Sequence, residues 1–189
     1  MKKILSFTFA LLMIGSTSAF GYHYLLEDKD EKITVKTIEG NFIADFTDKR
    51  NLVGAVDYVF LGEVISKKGQ VDLGLPTTQY EVKVLNEIKG NIQNDEIVLS
   101  QYGGYEDEEG KKVLYLFEND PLLESNTKYI FAANKQKDES VLLVPLYGNV
   151  KIKDKNQQIA LEKEFKDAFN NQKVPEILQR KRNNNETNN

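Results

Sequence analysis

Thr77-Thr78-Gln79-Tyr80-Glu81-Val82-Lys83-Val84-Leu85-Asn86-Glu87-Ile88-Lys89-Gly90 is the stretch that decides the fold. Tyr80, Val82 and Val84 fall on one face and Gln79, Glu81 and Lys83 on the other, the period-2 alternation of a half-buried strand. The strand is expected to run to Ile88, where Lys89-Gly90 turns the chain. Just upstream, Tyr58 to Ile65 (YVFLGEVI) is apolar on both faces, as in a strand covered on both sides, and Gly62 inside it marks a bend or bulge. Lys67-Lys68-Gly69 reads as the turn between the two strands. Downstream, Glu96 to Tyr102 forms a third strand closed by Gly103-Gly104, and Val113 to Phe117 a fourth after the acidic loop Glu106 to Gly110. Past the Asn119-Asp120-Pro121 turn, Lys128 to Ala133 and Val141 to Pro145 pair across the polar loop Asn134 to Ser140. The period then changes. Leu161, Phe165, Ala168 and Phe169 stand at i, i+4, i+7 and i+8, Asp154 precedes them as a cap, and Glu162 lies four residues before Lys166, which together predict one amphipathic helix over Asn156 to Asn171 packed on the sheet.

The first residues have a different character. Lys2 and Lys3 precede the apolar run Ile4 to Ile14 and the small residues Gly15 to Ala19, the pattern of a secretory leader cleaved after Ala19, just before Phe20. An uncleaved anchor is the competing reading, but the run falls short of the roughly 20 predominantly apolar residues a membrane span needs. The expected organisation is a signal peptide at 1–19, an arm with a short helix at 20–56, a barrel with its C-terminal helix at 57–172, and a flexible tail at 173–189. Within the arm, Asp48 is placed to cap a brief helix over Lys49 to Val56, which Gly54 weakens by up to about 1 kcal/mol relative to Ala.

The chain has no cysteine, so disulfides, thiolate metal sites and a cysteine nucleophile are excluded. Loss of Lys2 and Lys3 with the leader changes 25 basic against 29 acidic residues to 23 against 29. That acidic balance argues against a nucleic-acid or lipid-phosphate partner. The expected setting is secreted or bound to the cell envelope, with no membrane span once the leader is removed.

Five or six short strands closed by a helix fit a small barrel. Three pieces in order, VFLGEVIS at Val59 to Ser66, TTQYEVKVLNEIKG at Thr77 to Gly90 and LLESNTKYIFAA at Leu122 to Ala133, resemble the netrin-module or TIMP-like family. The resemblance covers Val56 to Ile152 and is closest to exported, cysteine-free bacterial versions of the module. It implies a mainly β fold: a five- to six-stranded OB-type barrel with a packed C-terminal helix. Asn126 or Ser125 stands where the family's turn has a glycine, and either residue type makes turns. The family's animal inhibitors bind a protease's zinc through an N-terminal cysteine, which this chain lacks, so metalloprotease inhibition does not carry over.

No nucleophile elbow, phosphate loop, dinucleotide fingerprint or H-E-x-x-H helix occurs, and no catalytic residue, metal ligand or cofactor is implied. His23, the single histidine, has no identifiable nucleophile beside it and reads as a surface residue. Glu106 to Glu109 lacks the spaced ligands of a calcium loop and reads as solvated. Tyr102 and Tyr105, around Gly103-Gly104, together with Tyr147 are the candidate ligand-binding residues: either a platform for a sugar or peptide, or aromatic plugs that close the barrel ends. The expected function is a noncatalytic module binding a protein or glycan outside the cell, with a small carboxylate-dependent hydrolase or a structural envelope component as alternatives.

Overall fold

A computed structural model describes residues 33–138 and 140–180. The leader, His23 and the terminal NNNETNN lie outside the described residues. Contacts divide the chain after Thr34, and the fold is that of the unit beginning at Val35. In chain order the elements are β1 (Thr34–Ile38), α1 (Lys49–Ala55), β2 (Tyr58–Asp72), β3 (Pro76–Lys89), β4 (Glu96–Tyr102), β5 (Gly104–Glu108), β6 (Lys111–Phe117), β7 (Thr127–Lys135), β8 (Val141–Leu143), β9 (Asn149–Lys151) and α2 (Lys155–Asn170).

β2, β3, β4, β8 and β7 follow one another around a ring that closes where β7 pairs back onto β2. The closing pair is antiparallel, from Tyr58 opposite Ala133 to Val64 opposite Thr127. β4 and β8 form the one parallel pair of the ring, Leu99 opposite Val141. This is a closed, five-stranded OB-type barrel, as expected. β9 pairs with Tyr129 to Phe131 of β7, on the same side as β8 and beyond its end, and β1, β6 and β5 form a separate three-stranded sheet.

The two apolar faces of β2 have two destinations. Phe60 and Val64 point into the barrel with Tyr80, Val82, Leu99 and Phe131. Val59 and Leu61 point outward beneath α1 and α2, where Leu52, Val53, Phe165 and Ala168 cover them. Both helix caps form as expected: the Asp48 side chain accepts from the Arg50 amide, and Asp154 from the Gln157 amide. At Gly62 the register of β2 against β3 slips, and a Cβ there would sit 2.9 Å from Val82 Cγ1 and 3.1 Å from the Phe131 ring. Gly62→Ala therefore overpacks the barrel interior and should destabilise by about 2 kcal/mol. Chemical denaturation measures this, and an unchanged midpoint would show that the interior has room.

Several expectations are corrected. Lys67 to Gly69 does not turn the chain; it is an irregularity in a strand that continues to Asp72, so that the β2–β3 hairpin is longer than expected. Glu106 to Glu108 is strand, not loop. Carboxylates are poor strand formers, but Lys112 and Lys111 stand opposite Asp107 and Glu108, and Glu109 and Gly110 both take positive φ to make the tight turn between β5 and β6. Glu162 bonds to Asn86 and Gln158 rather than pairing with Lys166. The tail is ordered through part of its length: the Lys173 amide donates to the Arg50 carbonyl at 3.0 Å, and residues 176–180 are helical.

Candidate functional site

Among the described concavities the most apolar is a groove of about 450 Å³ where β4 and β8 of the barrel and β6 of the second sheet finish. Its floor is Leu142 and Leu143 of β8 with the following Val144 and Pro145, and Tyr102 and Phe117 stand at one side with ring centroids 6.5 Å apart. Phe42, Ile43 and Phe46 of the arm and Leu178 of the C-terminal segment complete its lining. Asn41, Asn134 and Gln136 supply polar atoms, and among the described residues no lining residue is charged, although 29% of the chain is Asp, Glu, Lys or Arg.

Arm residues 40–46 are held on the barrel by aromatic packing. Phe42, Phe46 and Tyr147 meet edge to face, at centroid separations of 5.8, 5.2 and 5.9 Å around the trio, and Phe46 is 6% exposed. Ile43, between the two phenylalanines, is 50% exposed at the groove's rim. The arm thus buries the Phe46 ring, half-buries that of Phe42 and presents the intervening aliphatic side chain.

Behind the floor lies a buried polar network. Asp120 is 4% exposed and has no cationic partner among the described residues. Its Oδ1 accepts from Asn149 Nδ2 at 2.8 Å and from Gln101 Nε2 at 3.2 Å, and its Oδ2 accepts from the Leu146 amide at 2.9 Å. Gln101 in turn donates to the Pro121 carbonyl and accepts from the Leu123 amide. Leu146 has φ of +66°, a conformation a leucine adopts only where its surroundings impose it. The bond from the Leu146 amide to Asp120 holds it there together with the bond from the Gly148 amide to the Val144 carbonyl at 2.7 Å, in the turn that follows Val144 and Pro145 of the groove.

The three candidate tyrosines have separate surroundings. Tyr102 lines the groove. Tyr147 packs behind it against Phe42 and Phe46, where it joins arm to barrel. Tyr105 lies on β5, its backbone clasped at both N–H and carbonyl by the Gln70 side chain, with Lys112 Nζ at 4.8 Å and Lys67 Nζ at 5.5 Å from its ring centroid. Only Tyr102 contributes to the groove. The sequence reading missed the groove's other main components, Phe42, Ile43 and Phe46. Their signal was there in Gly40-Asn-Phe-Ile-Ala-Asp-Phe, an apolar run with no strand or helix period in the middle of a charged arm.

A second concavity, of about 340 Å³, lies on the outer face of β3 and β4 and is polar, with Lys68, Gln79, Glu96 and Ser140 among its lining. A third gathers Asp48, Glu164 and Asp167 between α1 and α2. Each of those carboxylates has a cation: Arg50 for Asp48, Lys49 for Glu164 and Lys163 for Asp167. Hydrogen bonds from Arg50 hold the Asp48 carboxyl well below the usual carboxylate range. Among the described residues no helix is long and apolar enough to cross a membrane, and no three acidic or histidine side chains are placed to hold a metal ion.

No protein-family model and no curated protein matches the chain.

Proposed function

We propose that this chain is an exported, noncatalytic binding module of netrin-module or TIMP-like OB type, acting outside the cell, and that the groove beside Tyr102 receives a protein ligand rather than a glycan. The observation that carries this reading is that, among the described residues, no charged side chain lines a groove of about 450 Å³ on a highly charged chain. Binding pockets for small ligands and anchoring side chains have this size and this mostly apolar lining with a few polar groups. A glycan would leave hydroxyls facing Leu142, Leu143 and Phe42 without partners. A peptide segment that offers one aromatic or branched aliphatic side chain fits, with its backbone within reach of the Asn41, Asn134 and Gln136 side chains. The leader and the order of VFLGEVIS, TTQYEVKVLNEIKG and LLESNTKYIFAA support the exported, TIMP-like part of the reading.

Selection of a random peptide library on mature residues 20–189 tests the groove. Enriched peptides should share an uncharged aromatic or aliphatic anchor, and Ile43→Asp, which places a carboxylate at the rim, should weaken them at least tenfold. Ile43 is half exposed, so this change leaves folding intact. Enrichment of acidic or basic peptides, or retention by the Ile43→Asp protein, would exclude the groove as the ligand site.

A further inference from the structure

On a chain with a net charge of −4, one concavity is lined by four lysines. Lys128 at the start of β7, Lys151 of β9, Lys153 just before the cap of α2 and Lys155 at its first residue line a cleft of about 460 Å³. One carboxylate lines it, Asp154, and that side chain is engaged in capping α2 through the Gln157 amide at 2.9 Å. Lys151 is reached by Glu124 at 2.6 Å. Among the described residues, Lys128, Lys153 and Lys155 form no ion pair within 4 Å, although Glu63 stands opposite Lys128 on β2 and Lys155 acts on the Glu162 carboxylate two helical turns further on. The other described concavities differ: the groove beside Tyr102 has no charged side chain among its described lining residues, the cleft between α1 and α2 sets Lys49 and Arg50 against three carboxylates, and the polar cleft on β3 and β4 sets Lys68 against Glu96 and Asp138.

The geometry points to a binding site for a flexible polyanion, a chain carrying phosphate or carboxylate charges at several successive positions. A single small anion would meet exposed, hydrated ammonium groups, each of which contributes little alone. A chain places several charges among the four lysines at once and releases its counterions as it does so. Screening confines the lysines' attraction to about 8–10 Å at moderate salt. Beyond that distance the acidic remainder of the surface repels any broad, rigid anionic body, so a duplex or an anionic bilayer is disfavoured where a single flexible chain is not. The site shares no lining residue with the groove and does not depend on what the groove binds.

The experiment measures binding of mature residues 20–189 to long-chain inorganic polyphosphate and to polygalacturonate across a salt series. It compares the unaltered protein with Lys128→Gln/Lys153→Gln and with Lys67→Gln/Lys112→Gln, a pair of exposed lysines outside the cleft. The cleft pair should weaken binding at least tenfold and flatten the salt dependence by about 0.7 per lost contact in log K against log salt. The control pair should stay within twofold, and all three proteins should melt alike. Retention of either polymer in this pattern supports the site, and the preferred polymer identifies the charge type. Equal loss in the control, binding of neither polymer, or cleft-dependent binding to anionic phospholipid vesicles in preference to both polymers would overturn it.

Discussion

Asp120→Ala should destabilise the protein by about 4 kcal/mol and lower its melting temperature by roughly 10 °C. The carboxylate is buried and satisfied by three N–H donors, from Gln101, Asn149 and the Leu146 backbone. Removing it eliminates the cost of a desolvated charge, which taken alone would be a gain. It also leaves three donors facing a void, at about 1–3 kcal/mol for each that finds no substitute, and that loss is the larger. Asp120→Asn separates the two effects. The asparagine oxygen can still accept from the Gln101 and Asn149 amides, but its amide then faces the Leu146 N–H, donor to donor, and Leu146 loses the contact that stabilises its positive φ. Asn should therefore be damaging too, by about 2 kcal/mol. Thermal melts of the two variants check this, and an Asn variant as stable as the parent would show that the charge and the Leu146 contact are both dispensable.

Gly54→Ala should cost about 3 kcal/mol, the opposite sign to that expected from helix propensity. In an isolated helix the change is worth about 1 kcal/mol in favour of alanine. In the fold, an added Cβ would lie 2.1 Å from the Lys173 carbonyl oxygen and 2.5 Å from its carbon. Those are backbone atoms, held where they are by the bond from the Lys173 amide to the Arg50 carbonyl, and no side-chain rotation relieves the clash. The segment after α2 would have to lift from α1. Urea denaturation gives the sign directly, and a neutral or stabilising substitution would contradict the close approach.

Much of this architecture is legible in the chain, for identifiable reasons. Period-2 alternation in Gln79 to Val84 fixed which face of β3 enters the barrel, because a one-residue slip would place charged side chains inside. The doubly apolar run in β2 announced two coverings, and the structure supplies them as the barrel interior and the α1 and α2 layer. Of Asn126 and Ser125, both read as turn residues, it is Asn126 that takes a left-handed conformation, with φ of +57°. What was not legible depends on contacts distant in sequence. Lys67-Lys68-Gly69 has turn composition, but pairing with β3 overrides it. Glu106 to Glu108 lacks strand propensity and becomes strand because lysines stand opposite. Lys173 stays ordered because Gly54 has no side chain.

The candidate site divides in the same way. Tyr102 was legible as an aromatic at a strand end beside Gly103-Gly104. Phe42, Ile43 and Phe46 were not, because an arm has no periodicity to show which of its side chains turns inward. Asp120 reads in sequence as part of a turn between Asn119 and Pro121. Its burial follows only from Gln101 and Asn149, which are brought to it by different strands.

The central claim, that the uncharged groove is the ligand site, is tested most directly by titrating a library-selected peptide into isotope-labelled protein and following backbone amide signals by NMR. The account predicts shifts concentrated at Ile43, Tyr102, Phe117, Leu142 and Gln136, with Gln79 and Glu96 on the outer β3 and β4 face unmoved. Shifts centred on Gln79, Glu96 and Ser140, with the groove residues silent, would contradict it.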